Sequence, residues 1–93
     1  MTILGWLFGR KRNDLHVIVY TRRGCHLCDD AWEALERLQT KHQFHLAAKD
    51  VDADPDLVAQ FDTCVPVIEV NGRVRMRGRF NAVLFQRLLD APS

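Results

Sequence analysis

The residues of this chain best suited to chemistry are two cysteines, Cys25 and Cys28, separated by His26 and Leu27. A thiolate carries out thiol–disulfide exchange, whereas the neutral thiol hardly reacts. On a helix, a spacing of three residues brings two side chains onto one face, within bridging distance of each other. Cys25 is therefore the candidate nucleophile that forms a mixed disulfide, and Cys28 the resolving thiol that closes an intramolecular bridge and releases the substrate.

The segments around the pair place it at the start of a helix. Residues 15–20 are mostly apolar and β-branched, which predicts a buried strand, followed by a break at residues 21–24. From Cys25 to Gln39 apolar residues recur every three or four positions, which predicts a helix. The residues expected on its inward face are Leu27, Ala31, Ala34, Leu35 and Leu38. Because a helix N-terminus stabilises negative charge, we expect the pKa of Cys25 to lie below the free-thiol value of about 8.5.

Zinc sites use the same two-cysteine spacing, which leaves a metal-binding module as an alternative. Such a module would hold zinc or an iron–sulfur cluster with Cys25, Cys28, Cys64 and His26. A second Cys-x-x-Cys pair, which would strengthen this alternative, is missing. A strand before the pair and a helix after it favour the redox interpretation, without a bound metal.

A second strand and two further helices follow the first helix. The strand is predicted over residues 44–51. Asp54 and Pro55 predict a helix start, here for residues 55–61, because aspartate caps free N–H groups and proline fits the first turn. Residues 80–89 predict a closing amphipathic helix, with an inward face formed by Phe80, Val83, Leu84 and Leu88. The histidines expected to face solvent are His42 and His45.

A hairpin lies between these two helices. Residues 65–70 and 73–77 are joined by Asn71-Gly72, a pair that suits a two-residue turn with positive φ. Alternating arginines on the second of these strands suit a sheet edge. The order is therefore β-α-β-α-β-β-α, in which strand–helix–strand implies a parallel crossover and the hairpin adds an antiparallel edge. We expect an α/β domain with one four-stranded mixed sheet flanked by helices.

Composition and charge exclude several classes of protein. The chain has 93 residues, 47% of them hydrophobic and 27% charged, which predicts one globular domain and not a disordered chain. A formal charge of +1 offers no basic field for nucleic acid. Three cysteines, an odd number, do not suit a secreted disulfide framework and do suit the reducing cytoplasm. We expect a cytoplasmic monomer that binds no nucleic acid.

Residues 1–14 are expected to form an extension ahead of the domain, residues 15–93. The apolar run at residues 3–8 precedes three basic residues, which reverses the order of a secretory signal, and it is far shorter than the ~20 residues of a membrane span. We expect this segment to dock on the domain or to be partly disordered, and not to contact a membrane through residues 1–12. A third interpretation is a non-catalytic interaction module whose partner is bound by Trp6, Leu7 and Phe8.

The segment from Tyr20 to Cys28, Tyr-Thr-Arg-Arg-Gly-Cys-His-Leu-Cys, together with Val65-Pro66, resembles the glutaredoxin family. The likeness is greatest to small bacterial glutaredoxin-like proteins with Cys-His-Leu-Cys sites, and it covers about residues 15–89. It implies a thioredoxin-like fold and a disulfide reductase that depends on glutathione or on the thioredoxin system. The implied partners are a disulfide-bearing protein or glutathione as a co-substrate, with no tightly bound cofactor.

The resemblance also implies roles for residues outside the cysteine pair. Pro66 matches a cis-proline that faces the redox pair, and Val65 before it would offer its backbone to an extended substrate. Arg22 stands where the family often has a lysine that binds one carboxylate of glutathione. Asn81 stands near the point where the other carboxylate is capped.

Departures from the family pattern bear on glutathione. Gly78 stands alone before the last helix, where the family has a pair of glycines, and His26-Leu27 replaces a proline–aromatic pair. Cys64 stands where the family has a threonine. We expect its side chain to fill the space of that threonine, and a role as a third redox thiol stays open. Two alternatives stay open for His26: it stabilises the Cys25 thiolate when protonated, or it is exposed and has little effect on that sulfur. A protein substrate is therefore as well supported as glutathione.

Overall fold

A computed structural model describes residues 12–62 and 64–91. In chain order the elements are β1 (His16–Thr21), α1 (His26–His42), β2 (His45–Asp50), α2 (Pro55–Phe61), β3 (Val67–Val70), β4 (Arg73–Arg77) and α3 (Ala82–Asp90), with one 3₁₀ turn, Val51–Ala53, before α2. The predicted order is confirmed. None of the helices in this part of the chain combines the length and the apolar character that crossing a membrane requires.

The four strands form one mixed sheet in the order β2-β1-β3-β4. β1 and β2 are parallel, because α1 carries the chain back to the starting edge, and β3 runs antiparallel to both β1 and β4. Tyr20 pairs with Val67. The chain that leaves β1 and the chain that enters β3 therefore lie at the same end of the sheet.

The hairpin between β3 and β4 turns at the predicted pair of residues. Asn71 and Gly72 both have a positive φ, 50° and 83°, which a two-residue hairpin turn requires. β4 lies at the edge of the sheet, as predicted. A bulge interrupts its pairing with β3, and the Arg77 guanidinium lies 5.8 Å from the centre of the Phe61 ring.

Each face of the sheet is covered by its own hydrophobic cluster. On one face α1 contributes Ala31 and Leu35, and α3 contributes Phe85 and Leu89, to a cluster that also contains Val17, Val19, Phe44, Ile68 and Met76. On the other face α2 covers a smaller cluster formed by Tyr20, Val51, Phe61 and Val67. Helices on both faces explain why β1 and β3 are almost continuously apolar.

The buried face of α3 differs from the predicted one. Phe85 and Leu89 are fully buried, whereas Val83, predicted to point inward, is 66% exposed. Phe80, Leu84 and Leu88 are partly buried against the same cluster. Apolar residues cover more than one face of this helix, so periodicity alone cannot select the face. Packing selects it: the Phe85 ring lies edge-on to Phe44 at 5.5 Å.

Two further predictions for α1 are wrong at its ends. Leu27 is 38% exposed, because it lies in the first turn of α1, at the end of the sheet and not over its face. His42, expected to face solvent, is buried. The helix continues three residues beyond Gln39, to His42. Gln43 caps it, with a left-handed φ of 55° and an N–H that donates to the Gln39 carbonyl. The added turn brings the His42 carbonyl to the backbone N–H of Arg12.

Arg12 attaches the start of the described chain to the end of α3. Its side chain is buried although it lies in the segment assigned above to the extension. Nη1 donates to the carbonyls of Leu89 and Ala91, at 2.5 and 2.9 Å, and the guanidinium also pairs with Asp14 at 2.9 Å. The last carbonyls of a helix have no donor within the helix. Arg12 supplies donors that α3 itself lacks.

Replacing Arg12 is therefore expected to destabilise the fold. Arg12→Ala removes the donor to the buried Leu89 carbonyl and to the partly buried carbonyls of Leu88 and Ala91, which costs about 1–3 kcal/mol of the free energy of unfolding. Urea denaturation followed by circular dichroism measures this loss. The exposed Arg79 offers a matched control, and Arg79→Ala should change the free energy of unfolding by less than about 0.5 kcal/mol. Equal losses in the two variants would contradict the role given to Arg12.

Candidate redox site

The site begins at the turn between β1 and α1. Gly24 has a φ of 77°, a conformation that glycine adopts without strain, and it directs the chain into the helix. Cys25 is the N-cap residue of α1, and its sulfur accepts a hydrogen bond from the Cys28 backbone N–H at 3.1 Å. The two cysteines form a disulfide, with Cα atoms 5.2 Å apart. The spacing that predicted a bridging pair therefore produces one.

The two sulfurs of this disulfide differ in accessibility. Cys25 is half-buried, whereas Cys28, one turn along α1, is only 2% exposed. His26 and Leu27 lie at the surface beside Cys25. A molecule that approaches the site therefore meets Cys25 first, and Cys28 is protected beneath it.

Val65 and Pro66 lie at the same end of the sheet, directly before β3. The peptide bond between them is cis, and the Pro66 carbonyl accepts the Gly78 N–H at 2.8 Å. Pro66 is buried and Val65 is half-buried. In the part of the chain that the structure describes, neither the N–H nor the C=O of Val65 takes part in a hydrogen bond.

The Arg22 guanidinium is held by two aspartates. Nε and Nη2 donate to the two carboxylate oxygens of Asp52, at 3.2 and 2.6 Å, and Nη1 donates to the Asp62 carbonyl at 3.0 Å. The hydrogen bonds between them lower the pKa of Asp52 and raise that of Arg22. Arg22 thereby links the segment that leads to Cys25 with the end of α2. Its predicted role in binding a glutathione carboxylate stays a prediction.

Asn81 lies at the start of α3 and caps it. Its Oδ1 accepts the Leu84 N–H at 3.0 Å, and its own N–H is directed at the Met76 sulfur, 3.4 Å away. The side-chain oxygen is thus used within the chain, as expected of an N-cap asparagine. A contact of Asn81 with glutathione stays a prediction.

A groove of about 540 Å³ runs along α1 beside the disulfide. It is lined by Thr21, Arg22, Cys28, Asp29, Trp32, Glu33 and Ala48. Trp32 is the aromatic residue among those that line it, and its described charged residues other than Arg22 are acidic. The groove gives the site an aromatic and acidic side next to the buried sulfur.

Cys64 is exposed and free, two residues before Pro66. In residues 12–62 and 64–91, no three His, Cys, Asp or Glu side chains are grouped as metal ligands would be. The metal-binding alternative, with Cys64 and His26 as ligands, gains no support from this geometry. Trp6, Leu7 and Phe8, on which the interaction-module alternative depends, lie outside the described residues.

Sequence reasoning missed Asp52 and Asp62 as part of the site. Asp52 lies in a run in which every second residue is an aspartate. From the sequence this run predicted only the helix start at Asp54. Its pairing with Arg22 spans 30 residues. No periodicity reports such a contact, because it depends on how the connection after β2 folds back beside β1.

The unequal exposure of the two sulfurs predicts which of them an alkylating reagent modifies first once the disulfide has been reduced. We expect limiting iodoacetamide to modify Cys25 about tenfold faster than Cys28, because the buried sulfur is shielded and the helix N-terminus favours the Cys25 thiolate. Peptide mapping by mass spectrometry measures each rate separately. The same reaction in urea is the control and should modify both at similar rates. Faster modification of Cys28 in the folded protein would reverse the assignment.

Comparisons with known proteins agree with this architecture. The family model "Glutaredoxin-like domain (DUF836)" matches residues 16–89. The solution structure of protein Ne2328 from Nitrosomonas europaea is 26% identical, with a TM-score of 0.73, and the match covers 82% of this chain and 92% of that one. The crystal structure of protein XcR50 from X. campestris is 32% identical, with a TM-score of 0.66, over 82% of this chain and 99% of that one.

More distant structures share the fold alone. Oxidised thioredoxin from Plasmodium falciparum is 16% identical, with a TM-score of 0.59, and the match covers 97% of this chain and 89% of that one. Among curated proteins, none matches the chain. The thioredoxin-like fold implied by the family resemblance is confirmed.

Proposed function

The chain belongs to the family of glutaredoxin-like domains (DUF836), and on that ground we propose that it is a thiol–disulfide oxidoreductase. Cys25 is the nucleophile and Cys28 the resolving thiol. The observation that supports this assignment is the unequal placement of the two sulfurs: Cys25 caps α1 near the surface, and Cys28 lies buried one turn away.

The proposed reaction passes two electrons from the protein to a disulfide. The Cys25 thiolate attacks one sulfur of the substrate disulfide, and a mixed disulfide between Cys25 and that sulfur forms. The substrate S–S bond breaks, and the other substrate sulfur leaves as a thiolate that takes up a proton. Cys28 then gives up its proton and attacks the Cys25 sulfur. The Cys25–Cys28 disulfide forms, and the second substrate sulfur is released and protonated. A dithiol, or two monothiols, restores the reduced pair.

Stabilisation of the Cys25 thiolate supports its role as nucleophile. The Cys28 N–H that bonds to the Cys25 sulfur is one of the N–H groups that α1 leaves without a partner in the helix. A negative charge on that sulfur strengthens this hydrogen bond and is favoured by the helix dipole. The exposed Arg23, two residues before Cys25, adds positive charge.

We further propose that the substrate is a protein or peptide disulfide bound in extended form. Its backbone would pair with the free N–H and C=O of Val65, as an added strand pairs with a sheet edge. Electrons would come from glutathione or from a reductase of the thioredoxin system. This chemistry belongs in the cytoplasm, where such donors keep thiols reduced.

Substitution of each cysteine tests the assignment. Cys25→Ser should abolish reduction of hydroxyethyl disulfide by glutathione, because no nucleophile remains at the surface end of the pair. Cys28→Ser should instead accumulate a mixed disulfide on Cys25, detected by intact mass. Cys64→Ser is the matched thiol control and should retain turnover. If Cys28→Ser proved more damaging than Cys25→Ser to formation of the mixed disulfide, the two roles would have to be exchanged.

A further inference from the structure

All three nitrogens of the Arg22 guanidinium have partners. Nε and Nη2 donate to the two carboxylate oxygens of Asp52, and Nη1 donates to the Asp62 carbonyl. An Asp62 carboxylate oxygen lies 3.6 Å from Nη1. A guanidinium binds a carboxylate most strongly through two parallel hydrogen bonds. An incoming carboxylate can obtain that arrangement from Nε and Nη2 only by displacing Asp52, and Nη1 already donates to the Asp62 carbonyl.

The remaining charge of the groove beside Cys28 is negative. Among the described residues that line the groove, Arg22 alone is basic, and Asp29 and Glu33 are acidic. Both carboxylates are exposed and take part in no salt bridge in the part of the chain that the structure describes. With Arg22 balanced by Asp52, no other cation among the groove residues in 12–62 and 64–91 offsets Asp29 and Glu33.

The Asp29 charge lies close enough to Cys25 to act on a substrate. Asp29 follows Cys25 by four residues, which is about 6 Å along a helix axis. Screening by roughly 0.1 M salt takes effect over about 10 Å. Arg23 lies outside the lining of the groove, with no aspartate or glutamate bound to it in the described chain, and its charge is common to every variant considered below.

We propose that Asp52 determines the charge preference of the redox site. By pairing with Arg22, Asp52 neutralises the one cation, among the described residues of the groove, that would attract anionic disulfides. The site is then suited to disulfides that are neutral or carry positive charge beside the sulfur. The inference rests on the proposed oxidoreductase function. It makes Asp52 a specificity-determining residue, although the carboxylate need not touch the reacting sulfurs.

Three small disulfides of similar size test the proposal: dithiodipropionate (anionic), hydroxyethyl disulfide (neutral) and cystamine (cationic). The reduced protein is mixed with each one and quenched with acid, and peptide mapping gives the rate at which Cys25 is oxidised, separately from the exposed Cys64. Each rate is divided by the rate with hydroxyethyl disulfide. This ratio removes any change in the reactivity of Cys25 itself.

Asp52→Asn should raise the relative rate with dithiodipropionate about 2- to 5-fold, the effect of one exposed charge, and lower that with cystamine. Asp56→Asn is the matched control, because it removes the same charge from an exposed aspartate whose side chain bonds to none of the residues that the structure describes. It should leave both ratios unchanged. Combining Arg22→Gln with Asp52→Asn should return the dithiodipropionate ratio to its original value, and roughly 0.5 M salt should remove the gain in Asp52→Asn.

Three results would overturn the proposal: equal shifts in Asp52→Asn and Asp56→Asn, no shift in Asp52→Asn at low salt, or a gain that persists in the double variant. Arg22→Gln alone provides a test that does not need Asp52 replaced. Because it leaves the Asp52 charge unbalanced, it should lower the dithiodipropionate ratio by no more than the factor by which Asp52→Asn raises it. A much larger fall would mean that Arg22 already binds anions and would contradict the proposal. If no disulfide oxidises Cys25 in the unmodified protein, the oxidoreductase assignment itself fails; reaction with unaltered ratios removes only the role of Asp52.

Discussion

The sulfur of Cys25 caps the N-terminus of α1. It accepts a hydrogen bond from the Cys28 N–H, a donor that would otherwise have no partner in the helix. The same contact caps the helix and fixes the sulfur where negative charge is favoured. It also sets the geometry of the pair, since one turn of helix separates an accessible sulfur from a buried one. Structure and proposed chemistry therefore depend on one local interaction.

The sheet supplies the other half of the site. Because Tyr20 pairs with Val67, the end of β1 and the start of β3 meet, and the loop that contains Val65 and Pro66 arrives at the end of the sheet from which Cys25 departs. Arg22 adds a second connection through its contacts with Asp52 and Asp62. A residue that the family resemblance assigned to substrate binding is engaged in holding the fold together at the site.

This dual use of Arg22 illustrates why charge is the least predictable property of such a site. From the sequence, Arg22 is a cation near a nucleophile, and nothing adjacent to it neutralises it. In the folded chain its charge is balanced by Asp52, thirty residues away. The groove then takes its character from Asp29 and Glu33 on α1. Which charges remain available to a substrate depends on contacts between distant segments.

The sequence by itself determined the local features, which depend on residues that are neighbours in the chain. The cysteine spacing predicted the bridging pair, Asp54-Pro55 predicted the start of α2, and Asn71-Gly72 predicted the turn before β4, because caps, turns and helical spacing act over a few residues. Tertiary structure alone decided the buried face of α3, the burial of His42 and the partner of Arg22. Each of these depends on residues far apart in the chain, which local patterns do not specify.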